Sequence, residues 1–184
     1  MQVTIFMRAV PKGFTLIELL VVIAIIGILA GIVLAALGGS RTTSQDAKRI
    51  SEIRQIQYAL EVYRSANGNY PCALYTGGSC ANASTLQGGT AGMPRISKDP
   101  SGANYSYAAT GSGSNCTGYH LGASLVNTNQ VLSGDKDAAV SASLCTNSTA
   151  DFSGLSAAAG GAACSTTAGT AKPAGTETCY DVTN

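Results

Sequence analysis

The chain has 184 residues, a net charge of +1 and only 11% charged residues. This length leaves room for one soluble domain of modest size beside an apolar N-terminal segment. The near-neutral charge excludes the strongly basic surface of a protein made mainly to bind nucleic acid. Although 45% of the residues are apolar, much of this fraction is the N-terminal run and alanine, so the composition predicts a small core.

Residues 1–13 form a short basic leader. They contain Arg8 and Lys12 and no acid, which is typical of an export signal whose start stays in the cytoplasm. Met7 is an alternative start that would shorten the leader. The uncharged run from Leu19 to Ser40 is long enough for a membrane-spanning helix at about 1.5 Å per residue. No small-residue cleavage site ends it convincingly, so we expect the run to be retained.

Glu18 places a single carboxylate near the start of the apolar segment. A carboxylate in hydrocarbon costs about 3 kcal/mol on insertion scales, and more if it stays unpaired. The residues alone leave two interpretations open. Either Glu18 reaches the lipid headgroups, or it pairs with a cation. If the chain is cut after Gly13, Phe14 gains a free α-amino group that Glu18 of another copy could neutralise.

The stretch from Lys12 to Ala30, KGFTLIELLVVIAIIGILA, resembles the class III signal of type IV pilins and type II secretion pseudopilins at every position of that motif. The resemblance implies that a membrane peptidase cuts between Gly13 and Phe14 and N-methylates Phe14. It also implies that Glu18 is the acid needed for methylation and for subunit docking. Gly13 and Phe14 are therefore the predicted processing residues, and Glu18 is the predicted assembly residue.

The segment 14–39, predicted as the transmembrane and filament-core half of a long helix, also contains a G-x-x-x-G motif. Gly27 and Gly31 have the spacing that lets two helices approach closely in lipid, although small residues are common in membrane helices in general. In a filament of parallel helices, we expect them at a subunit contact. Many type IV pilins carry a proline in this helix. None occurs here between Phe14 and Tyr70, which favours a pseudopilin.

Residues 40–66 are predicted to continue the helix with one apolar face, ending at Asn67-Gly68-Asn69. The charged residues are assigned mostly to the other, solvated faces. Their basic members could form a DNA-binding face as in uptake pili, but ordinary i,i+4 ion pairs are favoured. The apolar stripe consists of Ala47, Ile50, Ile53, Ile56, Leu60 and Tyr63. The charged residues are Asp46, Lys48, Arg49, Glu52, Arg54, Glu61 and Arg64.

Residues 67–137 are predicted to form a small head. A turn at 98–102 precedes two predicted antiparallel strands, near Tyr105–Ala109 and Gly118–Val126, packed on the apolar stripe. The motifs N-G-x-Y-P, K-D-P-x-G and Y-x-L-G-A occur in the order seen in the major pseudopilin family. The predicted fold class is therefore α+β and pilin-like, with a long N-terminal helix against a small antiparallel sheet.

This second resemblance also implies a calcium site, because that family carries a calcium-binding acidic loop after the last core strand. Asp135 and Asp137 lie at a comparable place, and carboxylate oxygens suit calcium. The D-x-D spacing is also common in solvated turns, and Lys136 between the acids does not favour a cation. No cofactor is expected to be required, and calcium is a candidate ligand.

Residues 138–184 are rich in Ala, Gly, Ser and Thr and are predicted to form an irregular extension exposed on the outer surface. An even number of cysteines beyond a membrane segment predicts disulfide bonds made in an oxidising compartment, with free buried thiols as the alternative. The easiest pairings are Cys72 with Cys80 and Cys164 with Cys179. The candidates are Cys72, Cys80, Cys116, Cys145, Cys164 and Cys179.

The chain contains no G-x-S-x-G, H-E-x-x-H or Gly-rich phosphate loop, so no enzymatic activity is predicted. The only histidine, His120, lies in a predicted strand, where packing or surface exposure is favoured over catalysis. The sequence instead predicts a subunit of a type IV pilus or pilus-like filament, with the major pseudopilin of a type II secretion system as the alternative. A membrane-anchored adhesive domain that does not polymerise is a third interpretation.

The predicted partners follow from the same resemblance. They are the prepilin peptidase and methyltransferase, further copies of the chain, the inner-membrane assembly platform with its ATPase, and the membrane before assembly. DNA binding has no specific support. The expected location is a single-pass inner-membrane precursor with the head outside, followed by an extracellular or periplasmic filament.

Overall fold

The computed structural model describes residues 13–76, 84–88, 92–139, 141, 143–146, 148–154, 164 and 178–184, with backbone only at 35–37. The chain divides into two compact units, Met1–Arg41 and Thr42–Asn184. Helix α1 (Leu16–Asn67) begins in the first unit and ends in the second. The predicted α+β class is confirmed by this helix and a small antiparallel sheet.

The first unit presents an exposed apolar helical segment. Every described side chain from residue 13 to residue 34 is exposed, and the helix is long and apolar enough to cross a membrane. Contiguous apolar surface of this extent needs lipid or another protein to remove it from water.

In the second unit, α1 buries one face. Ile53, Ile56, Leu60 and Tyr63 all belong to the main hydrophobic core, which confirms the predicted stripe over these positions. The first two members of the stripe differ, since Ala47 is exposed and Ile50 only partly buried. The helix ends where Gly68 adopts φ +80° and its N–H donates to the carbonyl of Arg64 at 2.7 Å. Glycine adopts this left-handed conformation without the usual steric cost.

The prediction that the charged residues of this half are solvated is wrong for three of them. Asp46, Arg49 and Glu52 are 1%, 5% and 8% exposed. The physical reason is that the early turns of this half face polar loops of the head, and burial of a charge is tolerated where hydrogen bonds satisfy it. Their partners are Val126, Asn127, Asp99 and Tyr105.

The sheet has three antiparallel strands in the order β1-β2-β3. Strands β1 (Ser106–Ser112) and β2 (Asn115–Ser124) form the predicted hairpin, although each extends towards the turn beyond its predicted bounds. A short 3₁₀ helix, η1 (Gln130–Gly134), follows β2. Alternate residues of β2 (Tyr119, Leu121 and Ala123) pack into the main core with α1.

The prediction of an irregular, exposed extension over 138–184 is wrong for much of its described part. Residues 179–183 form strand β3 (Cys179–Thr183), which pairs with β2, and residues 151–154 are buried. Phe152, Cys164 and Cys179 make a second small core. A five-residue strand carries little alternation, and its partner lies far away in the sequence, so local pattern could not reveal it.

The predicted presence of disulfide bonds is confirmed. Cys164 bonds to Cys179, a pairing favoured from the sequence, and Cys116 bonds to Cys145, which the sequence did not single out. Their Cα atoms lie 5.0 and 5.6 Å apart respectively, within the usual range for a disulfide. Cys80 lies outside the described residues, so its pairing with Cys72 stays a prediction.

Candidate functional site

The predicted processing residues precede the first helical turn. Gly13 and Phe14 are exposed and lie before α1 begins at Leu16. Thr15 and Glu18 form a capping box. The Thr15 hydroxyl accepts from the Glu18 N–H at 3.3 Å, while the Glu18 carboxylate accepts from the Thr15 N–H at 2.9 Å and from its hydroxyl at 2.8 Å. The predicted assembly carboxylate therefore also caps the helix.

The predicted helix-packing residues are sterically open. Among the described residues, a Cβ atom built at Gly27 or Gly31 would meet nothing within 4 Å beyond its chain neighbours and the local helix backbone. Both glycines therefore leave shallow places on an exposed apolar helix, where a second helix can approach closely.

A second candidate site lies between η1 and β3. One carboxylate oxygen each from Asp135, Asp137 and Asp181 lies within 4.8 Å of the others. The structure thus brings the two predicted calcium residues together and adds a third aspartate, from β3. Nothing in the local sequence around Asp181 identified it, because its place depends on the pairing of β3 with β2.

Asp135 is the unsatisfied member of this cluster. Its Oδ2 accepts from the Asp181 N–H at 3.3 Å, but its Oδ1 is buried and has no hydrogen-bond partner among the described residues. Burial, together with the negative charges of Asp181 and Asp137, raises the pKa of Asp135 to about 7. A partly buried carboxylate that has acidic neighbours and one buried oxygen without a partner among the described residues is the environment that a bound cation relieves.

Asp181 is fully buried and held from several directions. Its Oδ1 accepts from the Asp137 N–H at 3.0 Å, and its Oδ2 accepts from the Ala138 N–H at 2.9 Å. The same Oδ2 lies 2.8 Å from Nε2 of His120. The backbone of the acidic loop therefore wraps around the carboxylate of Asp181.

His120 links this cluster to the C-terminal segment. Its Nδ1 lies 2.8 Å from an oxygen of Asp151, and its ring stacks on Phe152 with centroids 3.8 Å apart. Burial lowers the pKa of His120, but the hydrogen bonds to Asp151 and Asp181 outweigh it and raise the pKa overall. Because the ring is 2% exposed and both nitrogens are engaged, it cannot reach a substrate in solvent.

The donor chemistry of the acidic cluster suits a hard divalent cation. Calcium takes oxygen ligands at about 2.3–2.6 Å, commonly from aspartates and backbone carbonyls. Two oxygens bound across such an ion lie about 4.6–5.2 Å apart by the same distances, so three carboxylate oxygens within 4.8 Å of one another can reach one ion. The orphaned Oδ1 of Asp135 is the observation that makes the residues fit.

An exposed apolar helix behind a G-F-T-L-I-E motif, carrying a small antiparallel sheet, defines a pilin-like protein. Residues 9–34 match the prokaryotic N-terminal methylation motif. Residues 36–139, more than half of the chain, match the family of type II secretion system (T2SS) protein G. The chain belongs to this family.

Individual relatives agree with that assignment. The type II secretion system core protein G of Escherichia coli (strain K12) is 36% identical over 107 residues, covering 54% of this chain and 74% of the relative. That of Vibrio cholerae serotype O1 is 32% identical over 117 residues, covering 60% and 80%. The type IV major fimbrial protein FimA of Dichelobacter nodosus is 35% identical over 104 residues, covering 55% and 66%. No solved structure matches the chain. The predicted class of pilin-like filament subunit is thereby confirmed.

Proposed function

We propose that the chain is the precursor of the major pseudopilin of a type II secretion system, a structural subunit without catalytic activity. One observation carries this proposal. The N-terminal methylation motif at 9–34 is followed almost directly by the protein G region at 36–139. The lack of a proline between Phe14 and Tyr70 supports the same assignment.

Processing comes first in this proposal. The basic leader stays in the cytoplasm, the head lies outside the inner membrane, and the prepilin peptidase cuts between Gly13 and Phe14 and methylates Phe14. The exposure of both residues ahead of α1 supports this step, since the bond to be cut lies outside the helix. The cut also leaves the Thr15–Glu18 capping box in place.

Assembly follows when the helix leaves lipid for a filament of its own copies, with the assembly platform and its ATPase as the machinery. Glu18 then pairs with the Phe14 amino group of a neighbouring copy. The physical support is that a carboxylate in hydrocarbon requires a cationic partner, and opposite charges attract more strongly at low dielectric. The hydrogen bonds from Thr15 to the Glu18 carboxylate do not compensate the negative charge of Glu18.

We also propose that the head binds calcium at the acidic loop through Asp135 and Asp137. When bound, calcium supplies positive charge and shared coordination to clustered carboxylates. Asp135 offers its orphaned Oδ1, and Asp137 offers an exposed carboxylate at a backbone position with φ +48°. Lys136, between them, is exposed, and its backbone N–H donates to the carbonyl of Asp181 at 3.3 Å.

The mature N-terminus tests the proposal. Mass spectrometry of the chain expressed with a prepilin peptidase should find N-methylated Phe14. Glu18→Leu and Glu18→Ala should abolish filament assembly while the head stays folded by circular dichroism. Glu61→Gln, which removes an acid from the head half of α1, serves as the matched control and should assemble. An intact leader, or a cut near Ala36, contradicts the proposal.

A type IV pilus subunit is the second candidate, and the similarity to FimA favours it. Deleting the chain's gene distinguishes the two. Loss of protein export with surface pili intact supports the pseudopilin, whereas loss of surface pili in electron micrographs with export intact supports the pilin.

A further inference from the structure

The acidic cluster draws on a part of the chain that the family region does not contain. The protein G match ends at residue 139, and Asp181 lies well beyond it in β3. We infer that Asp181 is a ligand of the divalent cation, so that the C-terminal segment of this chain completes the cation site. This inference rests on the proposed calcium site and adds a residue to it.

Hydrogen bonds hold the carboxylate of Asp181 in place before any ion binds. Its carboxylate oxygen shares the 4.8 Å cluster with those of Asp135 and Asp137, and its side chain is fully buried. Its backbone N–H donates to Oδ2 of Asp135, which leaves the orphaned Oδ1 of Asp135 as the oxygen that still lacks a partner. A carboxylate has about four acceptor positions, so the hydrogen bonds to Asp181 leave capacity for an ion.

The sheet register explains why Asp181 reaches the loop. Asp181 pairs with Gly122, and His120 pairs with Thr183, so His120 and Asp181 are diagonal neighbours on one face. His120 holds Oδ2 of Asp181 at 2.8 Å. A Cβ at Gly154 would lie 2.1 Å from the same Oδ2. Only glycine at this position therefore lets the backbone of residues 151–154 approach the carboxylate this closely.

The disulfide fixes the same strand covalently. Cys179 stands two residues before Asp181 and is bonded to Cys164. The described residues of the C-terminal segment therefore contact Asp181 and also reach the end of the acidic loop, where the Gly154 N–H donates to the carbonyl of Ala138 at 2.8 Å. Affinity for calcium depends on the number of charged ligands and on the rigidity of the site, and both would rise with Asp181 included.

The test compares Asp181 with Asp151, the two buried aspartates that contact His120. The full chain is titrated with CaCl₂ in detergent micelles by calorimetry, and Tb³⁺ luminescence provides a second readout. We expect Asp181→Asn and Asp135→Asn each to weaken calcium binding by about tenfold or more. Asp151→Asn is the matched control, because it removes the other carboxylate from His120 and leaves the cluster unchanged. It should bind calcium close to the wild-type affinity.

The outcomes separate this inference from the calcium proposal. If the wild type does not bind, the calcium site itself fails. If the wild type binds, Asp135→Asn loses binding and a folded Asp181→Asn keeps it, the loop suffices and the inference is wrong. A measurement on the wild type avoids variants that do not fold. Calcium should shift the ¹³C carboxyl resonance of Asp181 together with those of Asp135 and Asp137, and an unmoved Asp181 signal overturns the inference.

Discussion

At the scale of single residues, a buried ionic network ties α1 to the head. Arg49 donates through Nη1 to Asp46 at 2.7 Å and through Nε to Asp99 at 2.5 Å. Asp46 also accepts from the N–H groups of Val126 and Asn127, each at 2.9 Å. One helix turn thus joins the 98–102 turn to the loop after β2. The sequence predicted the turn and the helix but not this network, because a buried charge depends on partners that local periodicity does not show.

Asp99 makes the network sensitive to acid. Burial raises the pKa of Asp99, but hydrogen bonds from Arg49 and Ser101 outweigh it and lower the pKa from 3.8 to about 2. Because the folded-state pKa is depressed, the stabilisation is present above the unfolded-state pKa and is lost as the pH falls from about 4 to 2. With a side chain 10% exposed, the shift corresponds to about 2 kcal/mol.

Asp99→Asn should therefore lower the free energy of unfolding by about 2 kcal/mol or more at pH 6, and the gap from the wild type should narrow towards pH 2. Urea denaturation of both proteins across this range measures the effect. Lys98→Gln, an exposed neighbour in the same turn, should change stability by less than about 0.5 kcal/mol. A gap that stays constant with pH would show that Asp99 does not titrate as described.

At the scale of elements, β2 is buried on both faces, and its two faces differ in how well the sequence predicts them. The face with Tyr119 and Leu121 packs on α1 in the main core, as alternation predicted. The other face carries His120 and Gly122 and is covered by Phe152. That cover comes from a segment of low sequence complexity whose packing is set by the β2–β3 pairing and a disulfide, so no local pattern indicated it.

The absence of a side chain at Gly122 leaves space for the ring of Phe152. A Cβ at this position would lie 2.6 Å from the Phe152 ring and 3.3 Å from Sγ of Cys164. Gly122→Ala should therefore displace Phe152 and lower the free energy of unfolding by about 1–3 kcal/mol, measured by urea denaturation. Gly134→Ala places a Cβ that has nothing within 4 Å among the described residues and should be nearly neutral. Equal stability of the two variants would contradict the tight packing.

At the scale of the whole molecule, the two units differ in what stabilises them. The unit Thr42–Asn184 contains the hydrophobic cores, the sheet and the described disulfides. The apolar segment of the first unit is exposed throughout residues 13–34, so its stability depends on lipid or other copies. The sequence predicted this division because an uncharged run and an amphipathic run differ strongly in composition. The acidic cluster was predicted only in part, since Asp181 enters it through long-range strand pairing.

Gly27 and Gly31 connect this division to filament formation. Gly31 lies on an exposed part of α1 outside the unit that contains the head, so Gly31→Leu should insert into the membrane, be processed, and leave the free energy of unfolding of the head unchanged. In a filament it would hold neighbouring helices apart, because close approach requires small residues at the contact. We expect a strong loss of sheared filaments, measured by electron microscopy and immunoblotting, with a milder loss for Gly31→Ala.

Ala30→Leu adds comparable volume on the adjacent face of α1 and is the matched control. Equal filament yields from Gly31→Leu and Ala30→Leu would show that the G-x-x-x-G motif does not lie at a close subunit contact.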